Sequence, residues 1–227
     1  MHKKGAKDKK RQKDFQKVSR EISVAAKEGG NDPDTNPRLR LAIQKAKSIN
    51  MPKENVTNLL KKSDKALDNV TEILYEGYGP NGVAILIEVL TDNINRSAGE
   101  VKSTLTKRGG NLGSQGSVSY LFETKGIIVF QDSYMNMEDA FELLMDFEVL
   151  DIKEDDGLII VETTPTGIVK ISEELTKNNV EEFITNEVSK VAISTVELDE
   201  KASNKLENLI EALEDLGDVL DVHTNAN

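Results

Sequence analysis

Along the chain the hydrophobic positions first fall into a helical rhythm. Phe15, Val18, Ile22, Ala25 and Ala26 follow the i, i+3, i+7, i+10, i+11 spacing of one buried face, which predicts an amphipathic helix ended by Gly29-Gly30. Ahead of it, Lys3 to Arg20 carries nine basic residues and two acidic ones with hardly an apolar side chain before Phe15, so repulsion between like charges predicts a loose start. Asn36-Pro37 offers a cap followed by a proline in the first turn, after which Leu39, Ala42, Ile43, Ala46 and Ile49 share a second face. Pro52 opens a third, shorter helix that uses Val56, Leu59 and Leu60. Residues 15–62 therefore read as a small helical bundle.

The period then changes. Val83 to Leu90 is apolar except for Glu88, the pattern of a buried strand. Asn95 is the expected cap of a helix that turns Ala98, Val101 and Leu105 inward, with Lys107-Arg108 in its last turn and Gly109 just beyond. Val118 to Phe122 reads as a strand, so the β-α-β order predicts a crossover between parallel strands. Gly126 to Phe130 is a further strand. The same grammar recurs from Met137 to Asn179: a helix around Ala140, Phe141 and Leu144, strands near Val149–Ile152 and Leu158–Thr163, and a helix through Ile168, Ile171 and Leu175. Residues 180–192, rich in β-branched side chains, lean toward strand, and Ile193 to Leu198 closes this unit.

A last helix carries Leu206, Leu209, Ile210, Leu213 and Leu216, stops at Gly217 and leads into a strand around Val219–Val222. One helix and one strand cannot form a core alone, so they are expected to return to the sheet begun at residues 83–122. The fold expected is α+β: an N-terminal helical bundle over residues 1–70, then two α/β domains, one inserted into the other. The first takes 71–130 with 199–227, and the insert takes 131–198.

Charge changes this picture. The net charge is −11, yet residues 1–65 hold 18 Lys/Arg against 8 Asp/Glu, and the remaining 162 residues hold 11 against 32. A basic head on an acidic body points to a polyanion contact at the basic end, because the local field steers a partner more than the net charge does. The candidate contacts are Lys3, Lys4, Lys7, Lys9, Lys10, Arg11, Lys13, Lys17 and Arg20 on the first segment. On the second helix, Arg38 and Lys45 flank one edge of the apolar stripe, and Arg40 and Lys47 flank the other. Such residues neutralise phosphates and release counterions, which gives salt-sensitive affinity with little sequence information. Phe15 has core spacing and does not offer a base-stacking platform.

Other chemistry finds little footing. Without cysteine there are no disulfides or thiolate metal sites, and a cytoplasmic compartment is the expectation. His2 and His223 lie at opposite ends of the chain and make no ligand constellation. Gly109, Gly110, Asn111, Gly113 and Gly116 suggest a phosphate loop, but this segment follows a helix, lacks the Walker lysine and runs toward a strand. A loop that contacts a large partner is the better reading. Glu211, Glu214, Asp215, Asp218 and Asp221 have the spacing of a solvent face opposite the leucine stripe, and Asp32-Pro33-Asp34 that of a turn. No nucleophile signature occurs. The expectation is a protein that is not an enzyme, with no cofactor, no metal, no small-molecule substrate and no membrane partner.

Several short motifs recur together: His2-Lys3-Lys4-Gly5-Ala6-Lys7-Asp8, Arg20-Glu21-Ile22, Asn36-Pro37-Arg38-Leu39-Arg40 and Asn50-Met51-Pro52-Lys53. Further on come Tyr75-Glu76-Gly77-Tyr78-Gly79-Pro80, Leu90-Thr91-Asp92-Asn93, Asn95-Arg96 and Gly109-Gly110-Asn111-Leu112-Gly113. Gly116-Ser117-Val118, Leu121-Phe122 and Thr195-Val196-Glu197-Leu198 complete the set. In these the chain resembles the YebC/PmpR family over nearly its whole length. The resemblance implies three domains, a helical one and two of α/β type, one interrupting the other. It also implies a regulator of gene expression: a DNA-binding transcriptional regulator or, alternatively, a ribosome- or RNA-associated translational activator. Family members usually open with a Gly-His-Ser-Lys-Trp segment before the His-Lys motif, so an upstream in-frame stretch of that kind is expected.

Overall fold

In a computed structural model the chain is described for residues 2–62 and 70–227, with side chains from Arg11 onward except Lys62. It divides into two compact units, one of residues 1–122 with 192–227 and the other of residues 123–191.

The first unit begins with three helices, α1 (His2–Gly29), α2 (Pro37–Ser48) and α3 (Lys53–Lys62). Their apolar faces meet in one core, in which Val18, Ile22, Ala25, Leu39, Ala42, Ala46 and Met51 are buried and Phe15, Val56 and Leu59 pack at the margin. The segment expected to be loose is helical back to His2. Lys, Arg, Gln and Ala are good helix formers, and they extend a helix that the core has already nucleated. The Asn36 side chain accepts the Leu39 N–H at 3.1 Å and so caps α2 as expected.

A four-stranded sheet of order β3-β1-β2-β8 completes this unit. Its strands are β1 (Thr71–Tyr78), β2 (Ala84–Thr91), β3 (Asn111–Leu112) and β8 (Val219–Thr224), and it packs with α4 (Ile94–Lys107) and α7 (Glu200–Glu214). Strand β2 reads as continuously apolar because both its faces are covered. Val83, Ile85, Ile87 and Val89 join Val101, Leu105, Leu206, Leu209 and Leu213 on one side. Ala84 and Leu86 meet Val118 and Phe122 on the other. The last helix and strand do return to this sheet, with β8 antiparallel to β2.

Three expectations are corrected here. Strand β1 lies where no strand is expected, and it forms an antiparallel pair with β2, so the sheet has no parallel crossover through α4. Val118 to Phe122 is no strand partner of β2: Ser119–Leu121 makes a 3₁₀ turn, and the next strand starts at Phe122. Asn93, not Asn95, caps α4, accepting the Arg96 N–H at 3.1 Å.

The second unit holds a sheet of order β5-β6-β4-β7 with two helices. The strands are β4 (Phe122–Gln131), β5 (Val149–Asp155), β6 (Leu158–Thr163) and β7 (Thr185–Ala192), and the helices are α5 (Met137–Leu144) and α6 (Ile168–Lys177). Ile128, Phe130, Ala140, Leu144, Ile159, Val161, Ile171 and Leu175 are buried. The unit limits differ from the boundaries expected at 130/131 and 198/199. Strand β4 carries the chain through the first, while Ile193 N–H to Leu121 O and the Val196–Ala226 bridge hold residues 192–198 to the first unit.

Candidate nucleic-acid interface

The basic positions of the helical bundle divide by what holds them. Arg38, on the first turn of α2, sets its guanidinium among three carboxylates: Nε to Glu21 at 2.8 Å, Nη1 to Glu28 at 2.8 Å and Nη2 to Glu72 at 2.9 Å. Burial alone would lower its pKa, and hydrogen bonds and charge from Glu21 and Glu72 outweigh that and raise it. Glu72 lies on β1, so Arg38 ties the bundle to the sheet. Arg40 donates to the Pro33 and Asp34 carbonyls at 2.9 and 2.8 Å and closes the turn before α2.

Three cations of α1 are also held within the chain. Lys13 lies 2.6 Å from Asp215, and Lys17 donates to the Glu214 carbonyl at 2.7 Å. Burial, ahead of the opposing pull of Glu214, lowers the Lys17 pKa. Arg20 donates to the Gly217 carbonyl at 2.6 Å and to Asp218 at 2.9 Å. The expected solvent face of the last helix is corrected at Asp218, which is buried and also accepts from Arg96 at 2.6 Å and Thr91 at 2.8 Å.

Arg11, Lys45 and Lys47 present exposed charge. Arg11 stacks over the Phe15 ring at 5.1 Å from its centroid. Lys45 and Lys47 stand in the last turn of α2, where the helix dipole favours cations. Lys3, Lys4, Lys7, Lys9 and Lys10 lie on the described backbone of α1, and their side chains are outside the described residues.

The glycine segment is built into the sheet. Asn111 and Leu112 form β3 opposite Tyr78 and Gly77. A Cβ on Gly110 would stand 2.5 Å from the Tyr78 carbonyl oxygen, so a side chain there is excluded by contact with backbone. Beyond it, the buried Glu76 carboxylate accepts the N–H groups of Gly116, Val118 and Ser119 at 2.6, 2.7 and 2.8 Å. Glu76 and Asp218 escape a sequence reading, since their partners are 40 or more residues away. The only signal is that Glu76, Thr91, Arg96 and Arg20 all fall within the short motifs. Among the described residues no group of three or more His, Cys, Asp or Glu could hold a metal, and no helix is long and apolar enough to cross a membrane.

Comparison with known proteins decides the family. Residues 1–66 match the model described as the TACO1/YebC protein N-terminal domain, and residues 70–226 match that of the TACO1/YebC second and third domain. The chain belongs to the TACO1/YebC family. A protein of Persephonella marina is 45% identical over 228 residues, which is 99% of this chain and 91% of that protein. One of Treponema denticola is 45% identical over 226 residues, again 99% of this chain and 91% of the relative. Both carry the name probable transcriptional regulatory protein. The crystal structure of a conserved hypothetical protein from Aquifex aeolicus matches with a TM-score of 0.85 and 40% identity, covering 96% of this chain and 90% of that one. The α+β fold is thus that of an experimentally determined relative, and the family is one of regulatory proteins.

Proposed function

We propose that this TACO1/YebC chain regulates gene expression by binding nucleic acid through phosphates, with the first turns of α1 and the end of α2 as the contact surface. The observation that carries this reading is the segregation of charge. Lys3, Lys4, Lys7, Lys9, Lys10 and Arg11 precede the core of the bundle on one helix, while Lys13, Lys17, Arg20, Arg38 and Arg40 are engaged by their own chain. The relatives' name, probable transcriptional regulatory protein, supports a role in transcription, and DNA is the partner we propose for it. We place the protein in the cytoplasm, where it needs no cofactor, and the loop from Gly109 through Gly110, Asn111 and Gly113 to Gly116 is a second contact with the partner.

A ribosome- or RNA-associated role in translation is the alternative, favoured by the acidity of the rest of the chain. A carrier of 32 Asp/Glu beyond residue 65 would repel a long duplex lying alongside it, whereas a surface of RNA and basic protein suits a bipolar molecule. Competition of one promoter fragment against scrambled DNA and against ribosomes, at matched salt, separates the readings. Promoter preference above roughly 10³ at near-physiological salt selects the transcriptional role. Preference for ribosomes selects translation, and no affinity for either overturns the proposal.

A further inference from the structure

Helix α5, in the unit of residues 123–191, carries two parallel stripes. Met137, Phe141 and Met145 recur at i, i+4, i+8 and are 42%, 64% and 71% exposed. Glu138, Glu142 and Asp146 each follow one position later, about 100° further round the helix, so an exposed acidic row lies beside the apolar one. Met145 keeps helical φ and ψ of −58° and −26°, which carries the spiral past the last hydrogen-bonded turn. The helix has already filled its place in the core with Ala140 and Leu144, both buried. The outer stripe is therefore surplus to folding.

Two neighbouring features point the same way. Strand β5, which α5 packs against, holds Leu150 at 54% exposure where its pairing with β6 slips between Val149 and Asp151. A bulge of this kind re-aims a side chain. A recess beside α5 is lined by Met135, Asp139, Glu142, Leu143 and Asn178. Its mix of apolar and carboxylate groups suits the arm of a lysine or arginine, methylenes against Leu143 and charge at Asp139 and Glu142.

We infer that α5 is a docking face for a protein partner that presents an amphipathic segment, apolar along one edge and lysine- or arginine-bearing along the next. Charge complementarity selects this occupant. The acidic row repels nucleic acid and anionic lipid alike, and a second copy meeting this face by two-fold symmetry would set acidic row against acidic row. The face is thus distinct from the basic surface proposed for nucleic acid.

The probe is a fluorescent amphipathic leucine–lysine helical peptide, titrated into the full chain by anisotropy at near-physiological salt. A leucine–glutamate peptide of the same pattern is the control. Wild type binds the first and not the second. Phe141→Ser with Met145→Ser, which leaves charge unchanged, weakens binding roughly ten-fold or more, and so does Glu138→Lys with Glu142→Lys. Both double variants keep the wild-type urea midpoint, and the charge-neutral serine variant keeps the wild-type affinity for nucleic acid, so failure here is distinguishable from failure of the nucleic-acid reading. Undiminished peptide binding by the serine variant would overturn the proposal, since charge alone would then explain it. Wild-type self-association, or partition onto phosphatidylglycerol vesicles, that the serine variant loses would also overturn it, in favour of a second copy or a lipid surface.

Discussion

Arg20 and Asp218, 198 positions apart, meet at 2.9 Å. The second carboxylate oxygen of Asp218 takes Arg96 at 2.6 Å and Thr91 at 2.8 Å, so one buried acid joins α1, α4 and the end of β2. Burial would push its pKa up; the hydrogen bonds from Arg96 and Thr91 and the charge of Arg20 outweigh this and hold it below the usual aspartate range. A depressed folded pKa stabilises the protein above the unfolded value, and that contribution fades as pH falls through the folded one. Asp218→Asn is expected to cost roughly 2–4 kcal/mol at neutral pH, because it leaves two guanidinium groups short of a partner. Urea unfolding measures this, and the gap from wild type should close under acid. A gap that does not begin to narrow as pH falls below the unfolded aspartate value would reject the account.

Glu76 gives a second test. Burial raises its pKa, and the Val118, Gly116 and Ser119 N–H groups overcome that and hold it below the ordinary carboxylate range. Its contribution, too, is present above the unfolded pKa and lost as pH drops through the folded one. Glu76→Gln replaces one acceptor oxygen with a donor facing N–H groups, at an expected cost of about 2–3 kcal/mol. Amide hydrogen exchange should accelerate at Gly116, Val118 and Ser119 while α2 is unaffected. Uniform acceleration throughout the first unit would mean global destabilisation without a local anchor.

These two acids also show where the sequence stops being informative. Periodic elements such as α1, α2 and β2 declare themselves, since each buries its own stripe and neighbours in sequence report it. The return of α7 and β8 to the first sheet is equally legible, because a lone helix and strand have nothing to pack against. Strand β1 hides behind Tyr75-Glu76-Gly77-Tyr78, whose buried charge looks like surface until the N–H groups of residues 116–119 fold onto it. The same distance hides the fate of the basic residues. Arg20, Arg38 and Lys13 look like phosphate ligands in a one-dimensional charge count, and their carboxylate partners Asp218, Glu72 and Asp215 come into view only in three dimensions.

Two glycines should respond in opposite directions to one added methyl group. Gly99, exposed within α4, has nothing within 4 Å of an added Cβ, so Gly99→Ala should stabilise by roughly 0.5–1 kcal/mol through helix propensity and unfolded-state entropy. Gly110→Ala drives a Cβ to 2.5 Å from the Tyr78 carbonyl oxygen and must displace β3, with an expected loss of about 2 kcal/mol or more. Thermal unfolding of the pair decides it. Equal shifts would show that the fit of β3 against β1 is not tight.

The division of the cations into held and outward groups makes the sharpest prediction about binding. Arg38 is a planar fork serving Glu21, Glu28 and Glu72, so removing it leaves three carboxylates facing one another across the junction of α1, α2 and β1. Glu28 and Glu72 are about half exposed, and solvent screening limits the expected cost of Arg38→Ala to about 1 kcal/mol. Nucleic-acid affinity and its salt slope should change little, since that guanidinium is spoken for by its own chain. Charge reversal at the exposed Arg11 and Lys47 should do the opposite. Those residues lie outside the core, so the urea midpoint should hold while affinity falls, and the slope of log K against log salt should shrink by roughly 0.7–0.9 for each phosphate no longer neutralised. Filter binding across a salt series reads both quantities from the same protein preparation. If Arg38→Ala flattens the slope as much as the outward reversals do, the held group also reaches phosphate, and the binding surface must extend over the face of α2 nearest β1.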